Sequence, residues 1–512
     1  MAQTEASARL QVRGKLERTG AIVRDAGQVD VGDSGHAAAK AWLFSAVIWL
    51  TIVDLFGLII ATELVNPNVF GGISWLEFGR VRPTHVLGVI FAWLSMMYWG
   101  AIWYILPRLL GSRLRGEKVA VATAIGWNAM WIAGVATIWT GHTQGREYEE
   151  LIWPIDLTLQ VIWLVNLVLV VWNVAHRAIK SIYVTVWWFL ASPTWLLIEQ
   201  FIGNVMWRPG NVWGATSGPH ASGALQGSLD DGILNWWANH NLFGLWLTPM
   251  LVALTYYFVP KITNAPLYSH TLSLVSFWGI AFFYTGVGHH HLLQTPTPDW
   301  LKAFATANSI MLLIPVFAFI TNILMSMRGH WEKFFTNMPL RFVLTGFVFY
   351  DLVNFQGAAQ ALPSFNAMTH FTNFVVGHAH LALLGGFTFL GMGAIDYIVP
   401  QIYRRPLWSR RVEVWQYWLI FLGFAIFFLA LTFAGFIQGQ EWERGIPQAN
   451  VLEQLAPWFM SRAIGGTLII SSGILFAINI FMTVFTDTSH RTAARTARAL
   501  ELSVATVPEL EA

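Results

Sequence analysis

The chain has 512 residues, 55% of them hydrophobic and 11% charged, with a net charge of +2 and no cysteine. A soluble domain carries about 25% charged residues, so a chain this long leaves more apolar surface than one core can hide, and lipid is the expected solvent. The near-neutral balance points to no nucleic-acid partner, and the lack of cysteine excludes disulfides, thiolate catalysis, iron–sulfur clusters and thioether-linked haem, which leaves histidine and carboxylate as metal ligands.

Residues 1–40 are polar and mixed in charge, without the short apolar core and small-residue cleavage site of a signal peptide. They read as a tail. Crossing a bilayer takes about 20 mostly apolar residues, and 12 such stretches follow: 41–63, 84–110, 118–141, 155–174, 180–204, 235–260, 268–290, 302–328, 340–362, 371–400, 411–438 and 461–486. The longest connection, 205–234, is rich in Gly and Ser, and no solenoid-type repeat is evident. The 28 Trp and 36 Phe suit interfacial aromatic belts. The expected fold is therefore an all-α polytopic membrane protein of 12 transmembrane helices. A twelve-helix domain over 41–486 lies between a tail at 1–40 and a second tail at 487–512. With the N-terminus inside, 23 of the 30 Lys and Arg fall on the inner side. Both termini are expected in the cytoplasm.

On that topology His85 opens the second span, His240 lies in the first turns of the sixth, and His289, His290 and His291 end the seventh. His378 and His380 lie about two turns into the tenth. All sit in the outer half of the bilayer, where polar side chains are costly and usually mark function. A lone histidine near a helix end is ordinarily interfacial, and His142, His176 and His220 fall under that reading. A set from four helices at one depth points to metal or haem. His378 and His380, at i and i+2, point about 200° apart, so one helix offers an imidazole to a cofactor on each side. His85 is placed to give one haem a second axial ligand. His240, His290 and His291 then suit copper, zinc or iron. Tyr284 lies six residues before His290, about 9 Å along a helix, so it is expected below the metal. Thr248, Ser273 and Ser276 share its side of the bundle. They are either a proton route or ordinary helix-to-helix hydrogen bonding.

Several long patterns resemble the catalytic subunit of haem–copper oxygen reductases, within them the C family, the cbb3-type cytochrome c oxidase subunit I. They are Phe78-Gly79-Arg80-Val81-Arg82-Pro83-Thr84-His85; Arg146-Glu147-Tyr148-Glu149-Glu150-Leu151 with Trp153-Pro154-Ile155-Asp156; and Trp236-Trp237 with His240-Asn241 and Tyr256-Tyr257-Phe258-Val259-Pro260-Lys261. Tyr284 with His290-His291, and Thr369-His370-Phe371-Thr372 leading into Gly377-His378-Ala379-His380, complete the set. The resemblance covers roughly 41–485 and implies a haem–copper oxidase bundle. It makes His85 and His380 the ligands of a low-spin haem b, and His378 the proximal ligand of a high-spin haem of b3 type. It makes His240, His290 and His291 the ligands of copper, and Tyr284 a redox-active tyrosine linked to His240. Arg82 and His370 would lie near haem propionates, Glu147 would help hold a structural calcium, and Thr248, Ser273 and Tyr284 would belong to the single proton pathway.

The resemblance further implies reduction of O2 to water with electrons from cytochrome c, coupled to proton uptake across the inner membrane of a bacterium. Membrane-anchored mono- and di-haem cytochrome c subunits and a small single-helix subunit would be the partners, since this chain has no site for c-type haem. The chain departs from the pattern at His289 for Pro, Gln356 for Glu, His270 for Tyr, Ser276 for His and Asn373 for Asp. These departures bear on haem potentials and the proton route. The alternatives are a nitric oxide reductase of the same superfamily, with non-haem iron in place of copper, and a transporter without cofactors.

Overall fold

A computed structural model describes residues 31–205 and 228–486. The expected tail 487–512, residues 1–30 of the N-terminal tail and residues 206–227 of the longest connection lie outside them. Every regular element among the described residues is helical. The long helices, in order, are α1 His36–Val65, α2 Phe78–Leu110, α3 Glu117–Trp139, α4 Trp153–Ala175, α5 Val184–Gln200, α6 Leu229–Thr263, α7 His270–Leu292, α8 Asp299–Ser326, α9 Met338–Gln360, α10 Asn373–Tyr403, α11 Arg410–Glu443 and α12 Gln448–Phe485. Eleven of these are long and apolar enough to cross a membrane. The remaining one, α5, matches the expected fifth span, but it mixes Thr185, Ser192, Pro193, Thr194, Glu199 and Gln200 with its aromatic residues and continues as a wide turn, Phe201–Val205.

Helix α1 starts at His36, a turn earlier than the apolar stretch. Gly35 enters it with φ 80°, and a Cβ there would collide with the Trp103 carbonyl oxygen. The free N–H of Ala37 donates to Glu117 Oε1 of α3 at 2.9 Å, so a neighbouring helix satisfies an otherwise unpaired donor.

The helices that carry His85, His240, His378 and His380 form the centre. In α2, α6 and α10 the apolar stretch is 89%, 94% and 83% buried, against 50% or less in the other eight helices of membrane-crossing length. A helix apolar on all sides belongs inside a bundle, whereas lipid-facing helices leave one side uncovered. Aromatic rings lock α2 to α6: Trp246 Nε1 donates to Ser95 Oγ at 2.9 Å, and Trp246 packs on Tyr98 at 4.8 Å.

Three consecutive four-helix units repeat the same devices. In each central helix a histidine is followed by a π-helical segment: Gly88–Leu94, Leu242–Leu247 and Leu381–Thr388. Each then reaches Tyr-x-x-Pro (Tyr104 and Pro107, Tyr257 and Pro260, Tyr397 and Pro400) and ends in a left-handed residue whose N–H donates to that proline's carbonyl. These residues are Gly111, Asn264 and Arg404. The last helix of each unit supplies an asparagine that clamps the chain before α3, α7 or α11. The Oδ1 atoms of Asn173, Asn322 and Asn479 accept from the N–H of Arg115, Ser269 and Ser409 at 2.8, 2.9 and 2.9 Å. Each Nδ2 donates back to the same residue's carbonyl. Wide turns shift the helix register and leave backbone groups re-aimed, a frequent accompaniment of functional sites. Here they lie one turn or less past His85, His240 and His380.

Candidate functional site

A cavity of about 590 Å³ lies between α2, α6, α9 and α10 and is lined by His85, His240, His290, His291, His370, His378 and His380. Its size is that of a site for a sizeable ligand.

On one side of α10, the rings of His85 and His380 lie 6.4 Å apart and within 18° of parallel. His85 Nδ1 is 2.7 Å from the Val53 carbonyl oxygen, and His380 Nδ1 is 2.8 Å from that of Val376. A carbonyl oxygen only accepts, so each Nδ1 carries the proton and each Nε2 keeps a lone pair for a metal. Gly57 makes room for this arrangement: a Cβ there would come within 2.8 Å of His85 Cε1. On the other side, His378 Nδ1–H donates to Gln356 Oε1 at 2.9 Å, which again frees Nε2.

His240, His290 and His291 each offer a ring nitrogen, and the three lie within 4.8 Å of one another. His240 Nδ1 and His291 Nε2 are 2.8 Å apart. His290 Nδ1 is 2.8 Å from Ser309 Oγ, whose own proton is used on the Ala305 carbonyl, so His290 is the donor and its Nε2 is free. Trp236 lies flat on His291, with ring centroids 4.3 Å apart. Three lone-pair nitrogens converging in an apolar wall fit one borderline-soft cation.

Helix α7 tightens at the site. Its α-helix ends at Phe283 and the chain continues as 3₁₀ turns, Tyr284–Gly286 and Gly288–Leu292. Gly288 allows this, since a Cβ would lie 2.5 Å from the Trp236 carbonyl oxygen. The tightening also divides the three adjacent histidines. His290 and His291 line the cavity, whereas His289 is buried outside it against the backbone of Ile233. Tyr284 reaches the cluster with its side chain. Its ring stacks on His240 at 5.2 Å and 24°, over Gly244, where a Cβ would overlap the tyrosine ring itself.

The remaining expected residues divide. Arg82 Nη2 meets Glu147 Oε1 at 2.5 Å, and both line the cavity. His370, between α9 and α10, also lines it, and burial holds its imidazole below the usual pKa and hence neutral at pH 7. Thr248 lines the cavity within reach of the hydroxyls of both Tyr284 and Tyr350. Ser273 is buried away from the cavity and donates to the His270 carbonyl at 2.7 Å. The buried Tyr256 hydroxyl faces Asn322 and Ser276. Asn373 is tied to Gln438, with Nδ2 2.8 Å from Oε1.

Beside the cavity, the loop before α4 buries an acidic cluster. Arg146 pairs with Glu149 at 2.7 Å and Asp231 at 3.1 Å. Burial raises Glu149 to about 7, offset in part by Arg146. Burial first, and the Glu147 charge second, raise Glu150 to about 8. Sequence reasoning misses Ser309, Gly244, Asn322, Tyr350 and Arg462 and gives Trp236 and Tyr256 no role, since all act through partners remote in the chain.

The family model described as "Cytochrome C and Quinol oxidase polypeptide I" matches residues 37–468. The chain is 32% identical over 456 residues to "Cytochrome c oxidase subunit 1 homolog" of Azorhizobium caulinodans, covering 88% of this chain and 82% of that protein. It is 30% identical over 457 residues to "Cbb3-type cytochrome c oxidase subunit CcoN1" of Stutzerimonas stutzeri, covering 88% and 95%. A nitric oxide reductase subunit of the same organism is more distant, at 24% identity over 84% and 91%. Among solved structures, a haem–copper terminal oxidase dimer superposes with a TM-score of 0.72 at 16% identity, covering 88% of this chain and 84% of that one, which supports the fold.

Proposed function

The chain belongs to the cytochrome c and quinol oxidase polypeptide I family, and from that premise we propose that it is the catalytic subunit of a cbb3-type terminal oxidase reducing O2 to water. The observation that carries the reading is the three-histidine cluster with Tyr284 stacked on His240, opposite His378 across one cavity.

His85 and His380 would hold the low-spin haem b, which would supply electron transfer. His378 would hold the high-spin haem, and His240, His290 and His291, lining the same cavity, would bind copper. When bound, these groups supply electron transfer, O2 binding and the electrons for its reduction. The protein's part is placement. Gln356 and Ser309 fix the tautomers of His378 and His290, and Trp236 holds the plane of His291. Tyr284 presents its hydroxyl toward Thr248. Protons would reach it from the cytoplasmic side past Ser273, Ser276, Tyr256 and Tyr350, by exchange of hydroxyl protons between neighbours. Arg82 and His370 would face haem propionates. Glu147 would help bind calcium by exchanging part of its contact with Arg82. Cytochrome c subunits anchored in the same bacterial inner membrane would deliver electrons from the opposite side, so turnover separates charge across the bilayer.

Nitric oxide reduction is the second reading, favoured by the neutral Gln356 and Asn373. Against it, no carboxylate joins the three-histidine group among the described residues, and Tyr284 lies on it. Metal analysis of the purified enzyme separates the readings. One copper per two haems supports the oxidase, and three irons without copper overturns it. A chain without a Soret band under conditions that retain haem would sink both.

A further inference from the structure

Arg462, in α12, is a buried cation without a protein partner. It is 7% exposed, and among the described residues no hydrogen bond or ion pair reaches its guanidinium; Nε has no acceptor. Its close side-chain neighbour is the ring of Phe427, whose centroid lies 5.3 Å from Cζ, and Phe427 in turn packs on His380 at 4.7 Å. A guanidinium brings five N–H donors. Burying it unpaired is among the costliest arrangements a bilayer helix can hold.

The side chain lines the same cavity as His85 and His380. The other arginine there, Arg82, is already neutralised by Glu147 at 2.5 Å. The cavity's other carboxylate, Asp54 in α1, makes no ion pair with Arg462 among the described residues. Among the described residues Arg462 is therefore the cavity arginine without an ion-pair partner, and through Phe427 it lies on the His380 side.

We propose that Arg462 is the positioning cation of the low-spin site: it donates to an oxygen carried by the macrocycle held between His85 and His380, and its charge stabilises that group's reduced state. The inference rests on the reading that a haem occupies this side of the cavity. An added electron lowers the charge of the bound group by one. A neighbouring cation at low dielectric favours the electron-rich form, so the low-spin centre accepts electrons more readily than its two imidazoles alone would dictate.

The test is equilibrium redox titration of the purified holoenzyme, read at the low-spin absorption band, for wild type, Arg462→Gln and Arg462→Lys. The expected result is at least a tenfold loss in the ratio of reduced to oxidised haem at fixed poise in Arg462→Gln, about 59 mV for a one-electron couple. Arg462→Lys should stay within a few-fold of wild type, and the high-spin band should move less than the low-spin band in both variants. Loss of the low-spin haem in Arg462→Gln but not in Arg462→Lys also supports the assignment. Unchanged low-spin titration in Arg462→Gln, equal shifts of both bands, or loss of the haem in both variants would overturn it. A wild-type protein with no low-spin band would instead defeat the haem reading itself.

Discussion

Gln356 Oε1 accepts a hydrogen bond from His378 Nδ1 at 2.9 Å. A carboxylate in that place would push electron density through the imidazole onto whatever Nε2 ligates; a neutral amide fixes the ring without that push. Gln356→Glu should therefore lower the midpoint potential of the high-spin haem and leave the low-spin band nearly fixed. Redox titration checks this, and an unchanged or higher potential counts against it.

Tyr284→Phe should retain both haems and the third metal while losing O2 reduction by at least about 100-fold, the scale of a lost proton donor. The hydroxyl is the only group removed, and the stacking on His240 is kept. Oxygen consumption beside an unchanged optical spectrum is the measurement, and near-wild-type turnover would refute the role.

Gly244→Ala places a Cβ where the Tyr284 ring sits. Overpacking of this kind costs about 1–3 kcal/mol, and here it also moves the ring off His240. Lower thermal stability and lost activity are expected together. Full activity with normal stability would show that the ring is free to leave.

Much of this site is legible in the chain's own letters. Histidines in apolar spans stand out, and the i, i+2 spacing of His378 and His380 forces them to opposite sides, which the fold realises as two hydrogen-bonded, oppositely facing imidazoles. What escapes is set by partners distant in the chain. Nothing local marks Ser309 as the acceptor for His290 or Trp236 as the plate under His291. Helix spacing does not show that the Tyr284 ring reaches His240 itself, which depends on the absence of a side chain at Gly244. The threefold repeat of Tyr-x-x-Pro and clamping Asn is present in the letters too. Its period of about 150 residues exceeds the 20–50 that betray solenoids.

Glu150 gives a pH dependence outside the spans. Burial raises its folded pKa to about 8, above the roughly 4.3 of an unfolded glutamate. The fold binds this proton more tightly than the unfolded chain does, so the contribution is fully present below about pH 4 and is lost as pH rises through 8. Thermal midpoints should fall between about pH 4 and 8 and level off above that, and Glu150→Gln should flatten the decline. An identical decline in the variant would assign it elsewhere.

On the proposed reading, His240, His290 and His291 hold copper beside a haem ligated by His378. An element-resolved map of the purified enzyme, recorded on either side of the copper and iron absorption edges, tests it directly. Copper signal among the three imidazoles, with iron at the two haem sites, is the predicted result; iron among the three imidazoles, or no metal there in an enzyme that turns over, would contradict it.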